Sequence, residues 1–80
     1  MKLSLERVMA DVLRVPQNEI TDALTMESLE EWDSLKHMDL IVSIEQNFGV
    51  ELSFDEIVVM TSVVAIRRVL VNKGVLEKWN

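Results

Sequence analysis

The apolar residues between Ser34 and Phe48 recur at the spacing of a helix, and nothing else in the chain constrains the fold as strongly. At roughly 100° per residue, His37, Leu40, Ile41, Ile44 and Phe48 share one broad side, which is the side expected to face a core. Asp33-Ser34 stands at the start of this run and Gly49 just past its end, a start signal and a stop signal in the expected order. A second periodic stretch, Leu5, Val8, Met9, Val12 and Leu13, predicts a helix near the N-terminus that Val15-Pro16 stops, because the residue before proline disfavours helical backbone. Ser53-Phe54-Asp55-Glu56 is a capping box for a short third helix reaching about Val59. Thr61 or Ser62 caps a fourth, running through about Asn72 with Gly74 ending it. Its buried stripe is Val63, Ile66, Val69 and Leu70, with Arg67 and Arg68 toward its wet side.

Two segments are ambiguous by pattern. Residues 57–66 are uncharged and of high β-propensity, but the Thr61-Ser62 break argues for two helices meeting. Val50-Glu51-Leu52 has the look of a strand with nothing nearby to pair with it. Residues 17–32 form a long polar connection with apolar anchors at Ile20, Leu24, Met26, Leu29 and Trp32. It is expected to be pinned to the core and to include a helical turn, for which Ser28-Leu29-Glu30-Glu31 is a weak capping box. Residues 75–80 extend the last helix, fold back through Trp79, or fray. The fold class is therefore all-α: a small four-helix bundle with a long first loop and a short third helix, as one domain over residues 1–80.

Composition removes whole classes of function. The chain has no cysteine, which excludes disulfides, thiolate metal sites and cysteine nucleophiles. One histidine and scattered carboxylates give no metal-ligand spacing. Met1-Lys2-Leu3-Ser4-Leu5-Glu6 forms no signal-peptide core, and no apolar run approaches the roughly 18 residues of a membrane helix. A monomer in a soluble, reducing, cytoplasmic setting is expected. The net charge is −6, and residues 19–56 hold eleven acids against one base, Lys36. That acidic middle disfavours nucleic acid and steers the domain toward basic partner surfaces, or simply keeps it soluble.

Leu35, Met38 and Val42 fall nearly opposite the core side of the second helix, flanked by Asp39 and Glu45, with Asp33 at its start. A small bundle has no second core for these three. An apolar strip edged by acids suggests a docking surface, against the plainer alternative of scattered surface residues. Ser34 sits where a helix start gathers unpaired N–H groups and the positive end of the helix dipole, a setting that suits a phosphate ester. Asp and Ser are also the commonest N-caps, so the plainer alternative is that Asp33-Ser34 simply starts the helix. A catalytic serine would have only His37 as its base and nothing to orient it. His37 is read first as a packing residue, second as a contact for an attached group and third as a base.

The chain resembles acyl carrier proteins over nearly its full length. The residues that carry the resemblance are Glu31-Trp32-Asp33-Ser34-Leu35-Lys36-His37-Met38-Asp39-Leu40, then Glu45, Phe48-Gly49-Val50 and Thr61-Ser62-Val63. The resemblance implies a four-helix bundle in which Ser34 carries 4′-phosphopantetheine, transferred from coenzyme A by a separate phosphopantetheinyl transferase using magnesium. The arm's thiol would hold acyl groups as thioesters for partner enzymes with basic docking surfaces, and the carrier itself would not be an enzyme. Leu35, Met38, Asp39, Val42 and Glu45 match positions that grip partners, and Glu56 is the nearest match to an acid by the third helix.

The chain departs from the fatty-acid type at Lys36, where an acid is common, and at Val58, Val59 and Met60, where the third helix is usually acid-rich. Both departures point to a dedicated carrier for a specialised pathway, such as polyketide, lipid-modifying or surface-glycan biosynthesis. An aminoacyl or peptidyl carrier and an unmodified helical interaction module are the alternatives.

Overall fold

A computed structural model of the chain describes residues 4–76. The expectations for residues 1–3 and 77–80, Trp79 included, lie outside the described residues. Among those described there are four α-helices, one 3-10 turn and no β-strand: α1 (Leu5–Leu13), the turn (Gln17–Glu19), α2 (Ser34–Phe48), α3 (Phe54–Val59) and α4 (Val63–Asn72). None of the helices is long and apolar enough to cross a membrane.

Each helix begins on the side chain of its N-cap residue, which takes an N–H that the helix cannot satisfy itself. Ser4 accepts from the Arg7 N–H at 3.1 Å, Asp33 from the Lys36 N–H at 2.8 Å, and Ser62 from the Ala65 N–H at 3.1 Å. At Ser53 the predicted capping box is complete: Ser53 Oγ accepts the Glu56 N–H and Glu56 accepts the Ser53 N–H. Of the two candidates at the start of α4, Ser62 is therefore the cap. Gly49 ends α2 and Gly74 follows the end of α4, both at positive φ. α1 ends at Leu13, two residues before Val15, through Arg14 in the left-handed region at φ 60°.

The core is continuous. Leu5, Val8, Met9 and Leu13 of α1 pack on Leu40, Ile41, Ile44 and Phe48 of α2, and Val63, Ile66 and Leu70 of α4 complete it. Full burial of each such side chain contributes about 1.5–3 kcal/mol. Val50-Glu51-Leu52 is no strand, and the apolar run 57–66 breaks at Thr61-Ser62 between two helices as expected. Val69 is only half-buried, and Val75 and Leu76 fold back against the core beyond Gly74.

The long connection between α1 and α2 is pinned by Ile20 and Trp32, both buried, and by half-buried Leu24, Met26 and Leu29. An antiparallel bridge of Thr25 with Ser62 adds two backbone bonds, Met26 N–H to the Thr61 carbonyl (2.8 Å) and Val63 N–H to the Leu24 carbonyl (3.1 Å). The expected helical turn lies at Gln17–Glu19, not at Ser28. Ser28 and Thr25 instead exchange side-chain-to-backbone bonds at 3.0 and 3.1 Å, closing a turn that holds the bridge in place.

The expectation of Arg67 on the wet side of α4 is corrected. Its side chain is only 16% exposed and ion-paired with Glu6 of α1 and with Asp22 of the connection, the latter at 3.5 Å. Arg68 is exposed as expected. Burial works against the charged form of Glu6, but the Arg67 hydrogen bond and charge, with the Glu6 backbone N–H, outweigh it and hold the carboxyl below its ordinary value.

Candidate functional site

Asp33 and Ser34 divide the work at the start of α2. Asp33 is the N-cap, and Ser34 is the first helical residue, exposed, with no hydrogen bond to its hydroxyl among the described residues. The Ser34 hydroxyl is therefore not needed to start the helix. It stands at the positive end of a 15-residue helix whose first N–H groups have no intrahelical acceptor.

The apolar strip is where the periodicity puts it. Leu35 is 76% exposed, Met38 51% and Val42 49%. Asp39 is exposed beside them with no partner among the described residues. Three other predicted acids have duties inside the fold: Asp33 caps α2, Glu45 accepts the Leu52 N–H at 2.9 Å, and Glu56 completes the α3 box while pairing with Lys73 at 3.1 Å. The Ser53 N–H first, and then the Lys73 ammonium, hold the Glu56 carboxyl below its ordinary value.

The apolar Val58 and Val59 of the third helix are exposed as its departure from an acid-rich helix implies, while Phe54 beside them and a polar chain through the interior are not evident in the pattern. Phe54 is 77% exposed, and Phe54 and Val58 stand one turn apart on the helix. The signal for Phe54 is indirect: a six-residue helix buries one side only and α3 is apolar on more than one.

The polar chain runs through the interior. Buried Trp32 donates its Nε1–H to His37 Nδ1 at 3.0 Å, and His37 Nε2 lies 3.1 Å from the Ile57 carbonyl. An indole N–H only donates and a carbonyl only accepts, so the geometry assigns neutral His37 with its proton on Nε2. Both ring nitrogens are committed, which leaves no imidazole lone pair for Ser34. His37 is a packed and fully bonded residue, as its position on the core side suggests.

A small helical bundle with an uncommitted serine at the open end of its central helix, beside an apolar strip, has the architecture of a carrier domain. The phosphopantetheine attachment site family matches residues 4–70, and the chain belongs to that family. It is a phosphopantetheine-carrying carrier protein, with 4′-phosphopantetheine as its covalently attached prosthetic group. Carriers of this kind work with a transferase and with acyl-handling enzymes. No curated protein matches the chain.

The residues present fit the group: a phosphodiester needs a reachable hydroxyl and favours a helix N-terminus, and Ser34 offers both. When attached, the group supplies a thiol at the end of a flexible arm. Among the described residues no cluster of metal-ligating side chains occurs.

Proposed function

We propose that Ser34 is the attachment residue and that the protein is an acyl carrier without catalytic activity of its own. One observation carries the assignment: the Ser34 hydroxyl is exposed and unbonded because Asp33 has taken the capping role. Ser34 Oγ bonds the phosphorus of coenzyme A's pantetheine phosphate, displaces the nucleotide phosphate and gives up its proton. With both His37 nitrogens engaged, that proton goes to a base of the transferase or to water.

Leu35, Met38 and Val42 supply the apolar part of a docking surface, and Asp39 supplies a charge that orients basic partners. Asp33, Glu45 and Glu56 add to the local negative potential while holding the fold. Lys36 and the apolar α3 set this surface apart from the fatty-acid type and support a carrier dedicated to a specialised acyl pathway.

Incubation with coenzyme A and a broad-specificity phosphopantetheinyl transferase tests the assignment. Intact mass is expected to show one added phosphopantetheinyl unit on the wild type and none on Ser34→Ala, with both proteins equally folded. Addition to Ser34→Ala would refute it. Mass spectrometry of the protein from its native cell reads the cargo directly, and an amino acid on the arm would replace the acyl reading with an aminoacyl carrier.

A further inference from the structure

Trp32 and His37 stand two residues before and three residues after Ser34, and the hydrogen bond between their side chains closes a ring around it. The same segment is held by backbone bonds, Trp32 N–H to the Leu29 carbonyl (3.0 Å) and His37 N–H to the Asp33 carbonyl (2.8 Å). Helix ends fray, and this brace spans the first turn of α2. Through Nε2, His37 also reaches the Ile57 carbonyl of α3.

α3 has six residues, none of them fully buried, and is too short to hold itself in water. Its ties are Met60 at its end, half-buried Ile57, the Glu56–Lys73 pair and the His37 bond. Glu45 of α2 holds the Leu52 N–H just before α3, and among the described residues the polar bond that joins α2 to α3 itself is the His37 bond. It sets the spacing between two exposed apolar ridges, Leu35-Met38-Val42 on α2 and Phe54-Val58 on α3. For stability alone, an apolar pair of similar shape would serve as well as a buried donor and acceptor.

We propose that Trp32 and His37 are positioning residues for the loading of Ser34: they fix the serine, the start of α2 and α3 in the single arrangement that the transferase reads. This rests on Ser34 being the attachment residue. In-line transfer to an exposed hydroxyl depends on where that oxygen is held, and a misplacement of about 1 Å costs roughly 10²-fold.

The test compares wild type, His37→Phe, Trp32→Phe and the Trp32→Phe/His37→Phe double variant. The readouts are thermal melting, hydrogen exchange of the α3 amides, and kcat/KM for loading by a broad-specificity transferase, followed by intact mass. His37→Phe strands the buried indole N–H and is expected to lower both melting temperature and loading. The double variant removes donor and acceptor together, so no buried indole N–H is left stranded, while loading stays about tenfold below wild type and α3 exchanges faster. A folded double variant loaded at the wild-type kcat/KM overturns the positioning role. If the double variant does not fold, Trp32→Phe alone decides: it keeps the Ile57 bond, and loading at the wild-type rate overturns the role equally. If Ser34→Ala is loaded like wild type, the attachment assignment itself falls and takes this role with it.

Discussion

Leu35→Ala isolates the docking strip from the fold. Leu35 is the second residue of α2 and 76% exposed, so the free protein draws little stability from its side chain. Alanine at this position costs the helix nothing in propensity. Full burial of a leucine contributes about 1.5–3 kcal/mol, and roughly three-quarters of that surface is still open to a partner. Allowing for the methyl that alanine retains, the variant loses about 1–2 kcal/mol of docking energy, or roughly 5- to 30-fold in affinity. Docking contacts are made equally in the bound state and in the transition state, so the loss falls on KM with kcat unchanged. Initial loading rates against carrier concentration, with coenzyme A saturating and a broad-specificity transferase, measure it, and thermal melts check that the fold is intact. Met38→Ala and Val42→Ala, each from a half-exposed position, are expected to raise KM less than Leu35→Ala. A KM within twofold of wild type, or a fall in kcat at constant KM, would refute the docking role of the strip.

Arg67→Met removes the guanidinium between Glu6 and Asp22 and is expected to cost about 1–3 kcal/mol, at about 4–8 °C of melting temperature per kcal/mol. The Glu6 and Glu56 carboxyls are held below their ordinary value of 4.5, so on acidification the unfolded chain takes up their protons first. Their stabilisation is full above that value and lost as pH falls through the lower folded values. The gap between wild type and Arg67→Met should therefore narrow as pH falls below 4.5, and a gap unchanged by acidification rules out the Glu6 pair as its source.

Gly49→Ala meets no atom within 4 Å of the added Cβ, so its expected cost, about 1–2 kcal/mol in denaturant unfolding, comes only from the left-handed backbone at φ +63°. By the converse argument Arg14→Gly, at φ 60°, should raise the denaturant midpoint. Eleven acids against one lysine over residues 19–56 predict stabilisation by added salt. Sodium chloride and magnesium or calcium are each expected to raise the melting temperature, and melts unchanged by magnesium or calcium would count against the charge crowding.

What could be read in the sequence was local. α2 has its bounds, Ser34 and Phe48, because periodicity, an Asp-Ser start and a glycine stop agree over one continuous stretch. The Ser53–Glu56 box was legible for the same reason, since both partners lie within a single turn. Arg67 was misread because its place off the buried stripe says nothing of Glu6, sixty-one residues away, or of Asp22 in an irregular connection. Ser28 has the residues of a cap but spends them on Thr25, a choice set by the bridge to Ser62 and invisible in the local string. Trp32 and His37 were each placed on the interior, yet their pairing depends on how the chain enters α2, which no periodicity encodes.

The acids of the middle region look alike in the sequence and differ in what they hold. Asp33, Glu45 and Glu56 each close a contact within the fold, at the start of α2, after its end and around α3. Replacing one of them changes a helix cap or an inter-helix tie along with the surface potential, so a loss of partner binding in Glu56→Ala would not separate docking from the Ser53 box and the Lys73 pair. Asp39 has no such duty and lies against the apolar strip between Met38 and Val42. Asp39→Asn keeps shape and fold while deleting one charge, so its effect belongs on association rate and salt dependence, the two quantities that an orienting charge controls.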